Sequence, residues 1–208
     1  MNDHSPASAT ARAISRESLH ELPVRRYEGP VSFVDSPERL YAALTDIRGE
    51  RVAGFDTETR PAFRKGESYL PSIVQVATAR TVYIFPLRYP DTHGVIAEML
   101  ETAAIAKAGV ALAYDLRTLK QVFTFSEKAI VDLGIVAKRH DYGQSGVRNL
   151  AGMFLGYRIP KGAKTTNWAA PQLTAAQITY AATDAWVSRE LYLQFEKAGL
   201  LPQRAPAA

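Results

Sequence analysis

The chain has 208 residues, of which 47% are hydrophobic, enough for one domain with a proper core. Its 25 basic and 21 acidic side chains give a net charge of +4, a weak bias towards a polyanionic partner. Because cysteine is absent, disulfides, thiolate metal sites and a cysteine nucleophile are excluded, which agrees with the cytoplasmic location that we expect. No apolar run approaches the roughly 20 residues of a membrane span.

The two ends of the chain differ in composition from its centre. Residues 1–30 contain four arginines among serine, alanine and acidic residues, without an apolar signal core, and we expect a flexible, mildly basic tail. Residues 199–208 contain two prolines and show no periodicity, so a second tail is expected there. A single domain is therefore predicted over residues 31–198, with no further domain attached.

Helical and extended patterns alternate through the first half of this domain. Ser36-Pro37 marks a helix start, and apolar residues recur on one face through residues 40–47. The apolar residues 51–56 then predict a strand. Two short β-rich runs, residues 72–77 and 81–85, are joined by a short turn and predict an antiparallel hairpin.

The second half continues the alternation. A helix is predicted near residues 91–103, followed by an apolar strand over 109–113, a helix through 116–123 and a short strand at 129–132. The remainder to about residue 198 is predicted to be helical with loops. This order predicts an α/β fold with helices on both faces of a five- or six-stranded sheet, which the hairpin makes mixed.

Three acidic positions lie where predicted strands end. Asp56 and Glu58 are two residues apart, so their side chains point to the same face of the first strand. Like charges this close need a partner, and the usual partner is a divalent cation, although a solvated pair at a strand end is the alternative. Asp115 follows the strand predicted at 109–113, where it is either a helix cap or a third carboxylate at the same sheet edge.

A late helix supplies a fourth acid. Thr174 and Gln177 form a capping box at its start, and Tyr180 and Asp184 follow on one helical face, four residues apart. This spacing also suits a hydrogen-bonded pair at the surface. The alanines around the pair would let the helix lie close to the sheet, which Asp184 needs if it is to reach metals held at the strand ends.

These segments together resemble the three exonuclease motifs of the DEDD superfamily. They are Gly54-Phe55-Asp56-Thr57-Glu58-Thr59, Tyr114-Asp115-Leu116 and Tyr180-Ala181-Ala182-Thr183-Asp184. A tyrosine four residues before the last acid resembles the subgroup that contains ribonuclease D and the Werner-type exonuclease domains. Residues 71–77 are similar to that subgroup's second strand, and Asn167-Trp168 with residues 173–177 to its lead-in to the third motif.

The resemblance implies a ribonuclease-H-like three-layer fold and a metal-dependent 3′→5′ exonuclease that releases nucleoside 5′-monophosphates. Its expected partners are DNA or RNA that is single-stranded or has a 3′ overhang. Two divalent cations, Mg²⁺ or Mn²⁺, would activate the attacking water and stabilise the leaving oxygen. Their ligands would be the carboxylates of Asp56, Glu58, Asp115 and Asp184. Tyr180 would orient the water, since a phenol with an ordinary pKa is a poor base at neutral pH.

Substrate contacts are assigned to Thr57, Lys161, Lys164 and Trp168. The lysines would offset the repulsion between an acidic site and a polyanion, and Trp168 could stack on a base. Alternatively, each lysine is a solvated side chain and the tryptophan packs in the core. Two other functions stay open at this point. One is a non-catalytic nucleic-acid-binding module on the same fold, and the other is a metal-dependent phosphoesterase that acts on small substrates.

Overall fold

The computed structural model describes residues 12–162 and 165–202, which form six strands and seven helices. The strands are β1 Val31–Phe33, β2 Val52–Thr59, β3 Pro71–Ala77, β4 Val82–Pro86, β5 Ala106–Gly109 and β6 Ile130–Asp132. The helices are α1 Arg16–Glu21, α2 Pro37–Arg48, α3 Asp91–Glu101, α4 Leu112–Leu119, α5 Leu133–Arg139, α6 Val147–Leu155 and α7 Ala175–Lys197. Within these ranges, no helix combines the length and hydropathy that crossing a membrane requires.

All six strands belong to one sheet in the order β1-β4-β3-β2-β5-β6. The β3–β4 pair is the predicted antiparallel hairpin, and β2 pairs antiparallel with β3 but parallel with β5. The prediction of a mixed sheet is therefore confirmed, with six strands rather than five. β1 is a three-residue edge strand that the sequence analysis missed, because so short a run has no measurable periodicity.

Helices cover both faces of the sheet, which explains why its strands are almost continuously apolar. On one face, Phe55 of β2 packs in a cluster with Ile47 of α2 and Met99 of α3. On the other face, Val52 of β2 packs with Leu191 of α7 and residues of α5 and α6. The side chains of β2 alternate between the two clusters, as the period of two in a strand requires.

The strand predicted over residues 109–113 is wrong in its position. The structure ends β5 at Gly109, and Leu112 begins α4 after Ala111, whose φ of 63° is left-handed. The carboxylate of Asp132 accepts the N–H of Leu112 at 3.0 Å and so holds the helix start. Lys107 concealed the real strand: it is fully buried in β5, and its ammonium group donates to the carbonyl of Thr102. A buried lysine interrupts the apolar pattern on which the prediction depended.

Residues 12–30, expected to belong to a tail, contact the domain throughout. Leu19 of α1 lies against Gly152 of α6, and the backbone on either side of Val24 exchanges hydrogen bonds with Arg158. Further on, the N–H of Tyr27 donates to the hydroxyl of Thr183 in α7. At the other end of the chain, the N–H of Leu200 donates to the carbonyl of Phe195 in α7. This hydrogen bond attaches residue 200 to the end of the helix. The rest of the two expected tails, residues 1–11 and 203–208, lies outside the described residues.

Helix α7 lies unusually close to β2. Gly54 faces the helix, and a Cβ atom added there would lie 1.9 Å from the carbonyl oxygen of Ala185. Ala181, Ala182 and Ala185 form the buried side of this part of α7. Small residues on both elements thus allow the backbones to approach, and this approach brings the middle of α7 to the end of β2.

We predict that Gly54→Ala destabilises the protein, because the added methyl group must push α7 away from the sheet. Overpacking of this kind costs about 2–3 kcal/mol in free energy of unfolding. Urea denaturation followed by circular dichroism measures the loss. Gly94→Ala is the matched control, since Gly94 lies exposed in α3 with open space around its Cα. That change should stabilise the protein by about 0.5–1 kcal/mol. Equal effects of the two substitutions would show that the close approach of α7 is not a constraint.

Candidate active site

Three of the predicted acids meet where β2 ends beneath α7. Asp56 and Glu58 point from β2 to the face that α7 covers, and Asp184 comes down from the helix. One carboxylate oxygen from each residue lies within 4.8 Å of the other two. Asp184 and Glu58 are buried and Asp56 is partly buried. This separation allows a single cation to contact all three acids, as their positions in the sequence predicted.

Asp115 stands beside this trio rather than inside it. It lies in the first turn of α4 and accepts a hydrogen bond from the hydroxyl of Thr57 at 2.5 Å. The helix cap is Ala111, so the alternative that Asp115 caps α4 is wrong. Thr57 was assigned to substrate, but it is only 6% exposed and its hydroxyl engages Asp115. Thr57 therefore connects β2 to the fourth acid through its hydroxyl.

The negative charges interact strongly. Burial raises the pKa of Asp56 well above its usual value, and the charges of Asp184, Glu58 and Asp115 raise it further. The backbone N–H of Thr57 donates to Asp56 at 2.9 Å and opposes that shift only in part. A site in which carboxylates raise one another's pKa favours a bound positive charge. Since all the donors are hard oxygen atoms, the residues fit Mg²⁺ or Mn²⁺.

Tyr180 completes the site one turn before Asp184. Its phenol donates a hydrogen bond to Asp184, and burial together with the nearby carboxylates raises the pKa of Tyr180 further above its ordinary value. The hydroxyl therefore keeps its proton at neutral pH and acts as a donor. Gly162 lies against the ring: a Cβ at that position would fall 1.4 Å from Cδ2 of Tyr180. The backbone of the preceding loop thus holds the ring from one side.

Trp168 holds the same ring from another side. It is only 1% exposed and packs among Ile73, Ile84 and Ala181. Its ring centroid lies 6.0 Å from that of Tyr180, with the planes tilted by 40°. Such a side chain has no free face for a base, so the assignment of Trp168 to base stacking is wrong. The packing alternative is the one that the protein adopts.

A surface cavity of about 500 Å³ opens beside Tyr180 and Asp184. Lys161 and Arg26, both exposed, contribute its basic groups. Arg26 was missed because it precedes Tyr180 and Asp184 by more than 150 residues, in the segment that was expected to be a tail. Lys164 lies outside the described residues. A larger cavity of about 730 Å³ lies between α4, α5 and residues 201–202 and contains none of the four site acids. Tyr180 and Asp184, which line the smaller cavity, therefore mark it as the one beside the acid cluster.

Comparison with known proteins agrees with this geometry. The sequence profile of a family described as 3′-5′ exonuclease matches residues 31–199. The chain belongs to this 3′-5′ exonuclease family. The resemblance of its three motifs to the DEDD exonucleases is thereby confirmed.

Individual relatives in this family are distant in sequence and similar in fold. The chain is 28% identical over 211 residues to the exonuclease mut-7 homolog of Aedes aegypti and 31% identical over 150 residues to ribonuclease D of Haemophilus influenzae. These matches cover 87% and 70% of the chain but only 28% and 36% of the relatives' own lengths. The crystal structure of the Aedes aegypti Nibbler EXO domain superposes with a TM-score of 0.73 at 25% identity, over 84% of this chain and 91% of that one. The predicted ribonuclease-H-like fold is confirmed.

The raised pKa of Asp56 in this exonuclease-family site predicts how stability depends on pH without metal. Above the ordinary carboxyl value of 3.8, the unfolded Asp56 loses its proton while the folded residue retains it up to its raised pKa. The folded state is therefore favoured most at low pH, and this contribution is lost as the pH rises from 3.8 towards the folded pKa. Asp56→Asn removes the titration, so its melting temperature in EDTA should rise relative to wild type across that window.

The measurement is thermal unfolding in EDTA at a series of pH values from about 4 to about 8. Glu67→Gln serves as the control because it removes an exposed carboxylate from the loop between β2 and β3. The control should follow the wild type at every pH. If Asp56→Asn instead loses stability relative to wild type as the pH rises, Asp56 stabilises the fold. Its charge would then not destabilise the folded state by repulsion from the neighbouring acids.

Proposed function

We propose that this protein is a metal-dependent 3′→5′ exonuclease. It hydrolyses phosphodiester bonds from the 3′ end of a nucleic acid and releases nucleoside 5′-monophosphates. The observation that carries the proposal is the convergence of Asp56, Glu58 and Asp184 beneath Tyr180, with Asp115 beside them. A family match over residues 31–199 supports the same reaction class. The non-catalytic alternative finds no support in the described residues, which retain every acid that the reaction needs.

The cofactor is proposed to be a pair of divalent cations, Mg²⁺ or Mn²⁺. Asp56, Glu58 and Asp184 would hold one cation, and Asp115 with Asp56 would contribute to a second. Such a pair, when bound, activates a water molecule and stabilises the leaving 3′ oxygen. The protein's own part is to keep the carboxylates oriented and close together at the end of β2.

Tyr180 is proposed to orient the attacking water. Its phenol keeps its proton and donates a hydrogen bond to Asp184, so its oxygen can accept a hydrogen bond from the water but cannot serve as a base at neutral pH. Trp168 and Gly162 fix its ring, and Asp184 fixes its hydroxyl. A positioned hydroxyl of this kind lowers the barrier by limiting the water to the direction from which it must attack.

The substrate is proposed to be single-stranded or 3′-overhanging DNA or RNA. The cavity beside the acids opens at the surface, and Lys161 and Arg26 lie on it with their charges exposed. The positive charges of these two side chains suit phosphates on either side of the bond that is cut. Lys164, three residues after Lys161, is proposed to extend the same contact. Because one relative is named ribonuclease D, RNA is the first substrate to test.

We predict that cleavage starts at a free 3′ end. A scissile phosphate must enter the acid site with its 3′ oxygen as the leaving group, and a stacked duplex end does not present it. RNA and DNA oligonucleotides labelled at the 5′ end should shorten one nucleotide at a time in Mn²⁺ or Mg²⁺. A 3′-phosphate should slow the reaction, whereas a blocked 5′ end should not. Chromatography of the products should show nucleoside 5′-monophosphates.

Closed circular single strands provide the decisive comparison. They lack an end, so an exonuclease leaves them intact. Cleavage of circles at the rate of linear strands would identify an endonuclease and overturn the proposal. Absence of hydrolysis on both DNA and RNA in either metal, by protein that binds Mn²⁺, would instead favour the binding-module alternative. Hydrolysis of small phosphodiesters without hydrolysis of oligonucleotides would favour the phosphoesterase.

We predict that Tyr180→Phe slows the chemical step by roughly 10²–10⁴-fold, the range of a lost positioned hydrogen-bond partner. Metal affinity should stay near that of wild type, since the carboxylates are unchanged. Single-turnover kinetics and Mn²⁺ titration measure the two quantities separately. Tyr157→Phe is the matched control: Tyr157 is also a buried tyrosine, its ring stacks on Trp186, and its hydroxyl has no hydrogen-bond partner among the described residues. A fall of less than about threefold in Tyr180→Phe would limit Tyr180 to packing.

A further inference from the structure

Gln75 is a polar side chain in the middle of the core. It lies at the centre of β3 with 0% of its surface exposed, and neither its amide nitrogen nor its amide oxygen has a hydrogen-bond partner in the described structure. Buried amides are normally satisfied, because leaving them unpaired lowers the stability of the folded state. An apolar residue of the same size would fit the strand better, so the amide needs another explanation.

The register of the sheet places this amide next to the acid site. Gln75 is the direct partner of Asp56 in the antiparallel β2–β3 pair. Directly paired residues point to the same face, with Cβ atoms about 4.5–5.5 Å apart. On its other side Gln75 is paired with Ile84 of β4. Within the sheet, its polar neighbour is therefore the carboxylate of Asp56.

The part of α7 above Gln75 presents apolar side chains to the amide. The residues before and after Gln75 on this face of β3 are Ile73 and Ala77. Ile73 packs in a cluster with Ala181, and Ala77 packs in a cluster with Ala185. The amide thus lies under the alanine side of α7, where close packing holds it beside the metal-binding acids. Its position is fixed on three sides by apolar groups.

We propose that Gln75 is a positioning residue for the metal site, and that its amide N–H orients the carboxylate of Asp56 through one buried water molecule. A water is invoked because the described residues offer the amide no hydrogen-bond partner. The backbone N–H of Thr57 already engages one oxygen of Asp56, so a second donor would fix the direction of the carboxylate. The inference rests on the proposed metal-dependent function.

The chemistry of glutamine suits this task. A lysine beside Asp56 would compete with the cation, and a further carboxylate would add to the repulsion that already exists in the site. An amide donates a hydrogen bond without a net charge, so it orients the acid and leaves its charge available to metal. Groups that orient metal ligands in this way typically account for roughly 10–100-fold in metal affinity or activity.

The test is Gln75→Met, which keeps the length of the side chain and removes both polar atoms. The full chain is titrated with Mn²⁺ by calorimetry, and thermal unfolding is measured in EDTA. We expect the dissociation constant for Mn²⁺ to rise roughly 10-fold or more. The melting temperature in EDTA should stay equal to that of wild type or rise, because an apolar side chain of the same length replaces a fully buried amide. A residue that is only structural would not move these two readouts in opposite directions.

Ile84→Met is the matched control. It introduces the same side chain at the position paired with Gln75 on the side away from Asp56, and Ile84 is fully buried too. The control should bind Mn²⁺ as wild type does. A Gln75→Met variant with an Mn²⁺ affinity within twofold of wild type overturns the inference. So does a failure to fold of both Gln75→Met and Gln75→Leu, since that would make the amide part of the core's own structure.

Asp56→Asn separates this inference from the proposed function. If Asp56→Asn binds Mn²⁺ as wild type does, the acids are not a metal site, and the proposed function fails with it. If Asp56→Asn loses Mn²⁺ while Gln75→Met retains it, the proposed function stands and only the role of Gln75 is refuted.

Discussion

The contact between α7 and β2 at Gly54 is the constraint on which the candidate site depends. Asp184 reaches the acids of β2 because the backbone of α7 comes close to the strand at Gly54. The approach is so close that no side chain would fit between them. A larger residue at Gly54 would push the helix, and Asp184 with it, away from Asp56 and Glu58. The glycine and the alanines of α7 are thus as necessary to the site as the carboxylates, although they carry no chemistry.

The acids and the tyrosine could be predicted from sequence because their spacing follows the geometry of the elements that carry them. Two residues along a strand, or four along a helix, share a face regardless of the surrounding fold. The hairpin β3–β4 was equally accessible, since alternating β-rich runs and a short turn are local signals. Local rules therefore sufficed for Asp56, Glu58, Tyr180 and Asp184, and the close packing of α7 was expected from its alanines.

The predictions that were wrong concern features that depend on contacts between distant parts of the chain. β5 was misplaced because Lys107 is buried, with its ammonium group on the carbonyl of Thr102, and no hydropathy pattern can show that. Trp168 was assigned to substrate because a tryptophan near a motif looks the same in sequence whether it faces solvent or the core. Arg26 was overlooked because only the folded chain brings it to the cavity beside Tyr180. In each case tertiary packing determines where the side chain lies, and the local sequence pattern does not show it.

Among the described residues, three donors to the site acids are neutral groups. The N–H of Thr57 serves Asp56, the hydroxyl of Thr57 serves Asp115, and the phenol of Tyr180 serves Asp184. A neutral donor fixes the direction of a carboxylate without bringing a positive charge to it. An arginine or lysine would offset the negative charge as well. Repulsion among the acids therefore persists in the folded protein, as the raised pKa of Asp56 shows. A divalent cation would relieve that repulsion on binding, so the arrangement that weakens the metal-free fold is the one that would favour a bound metal ion.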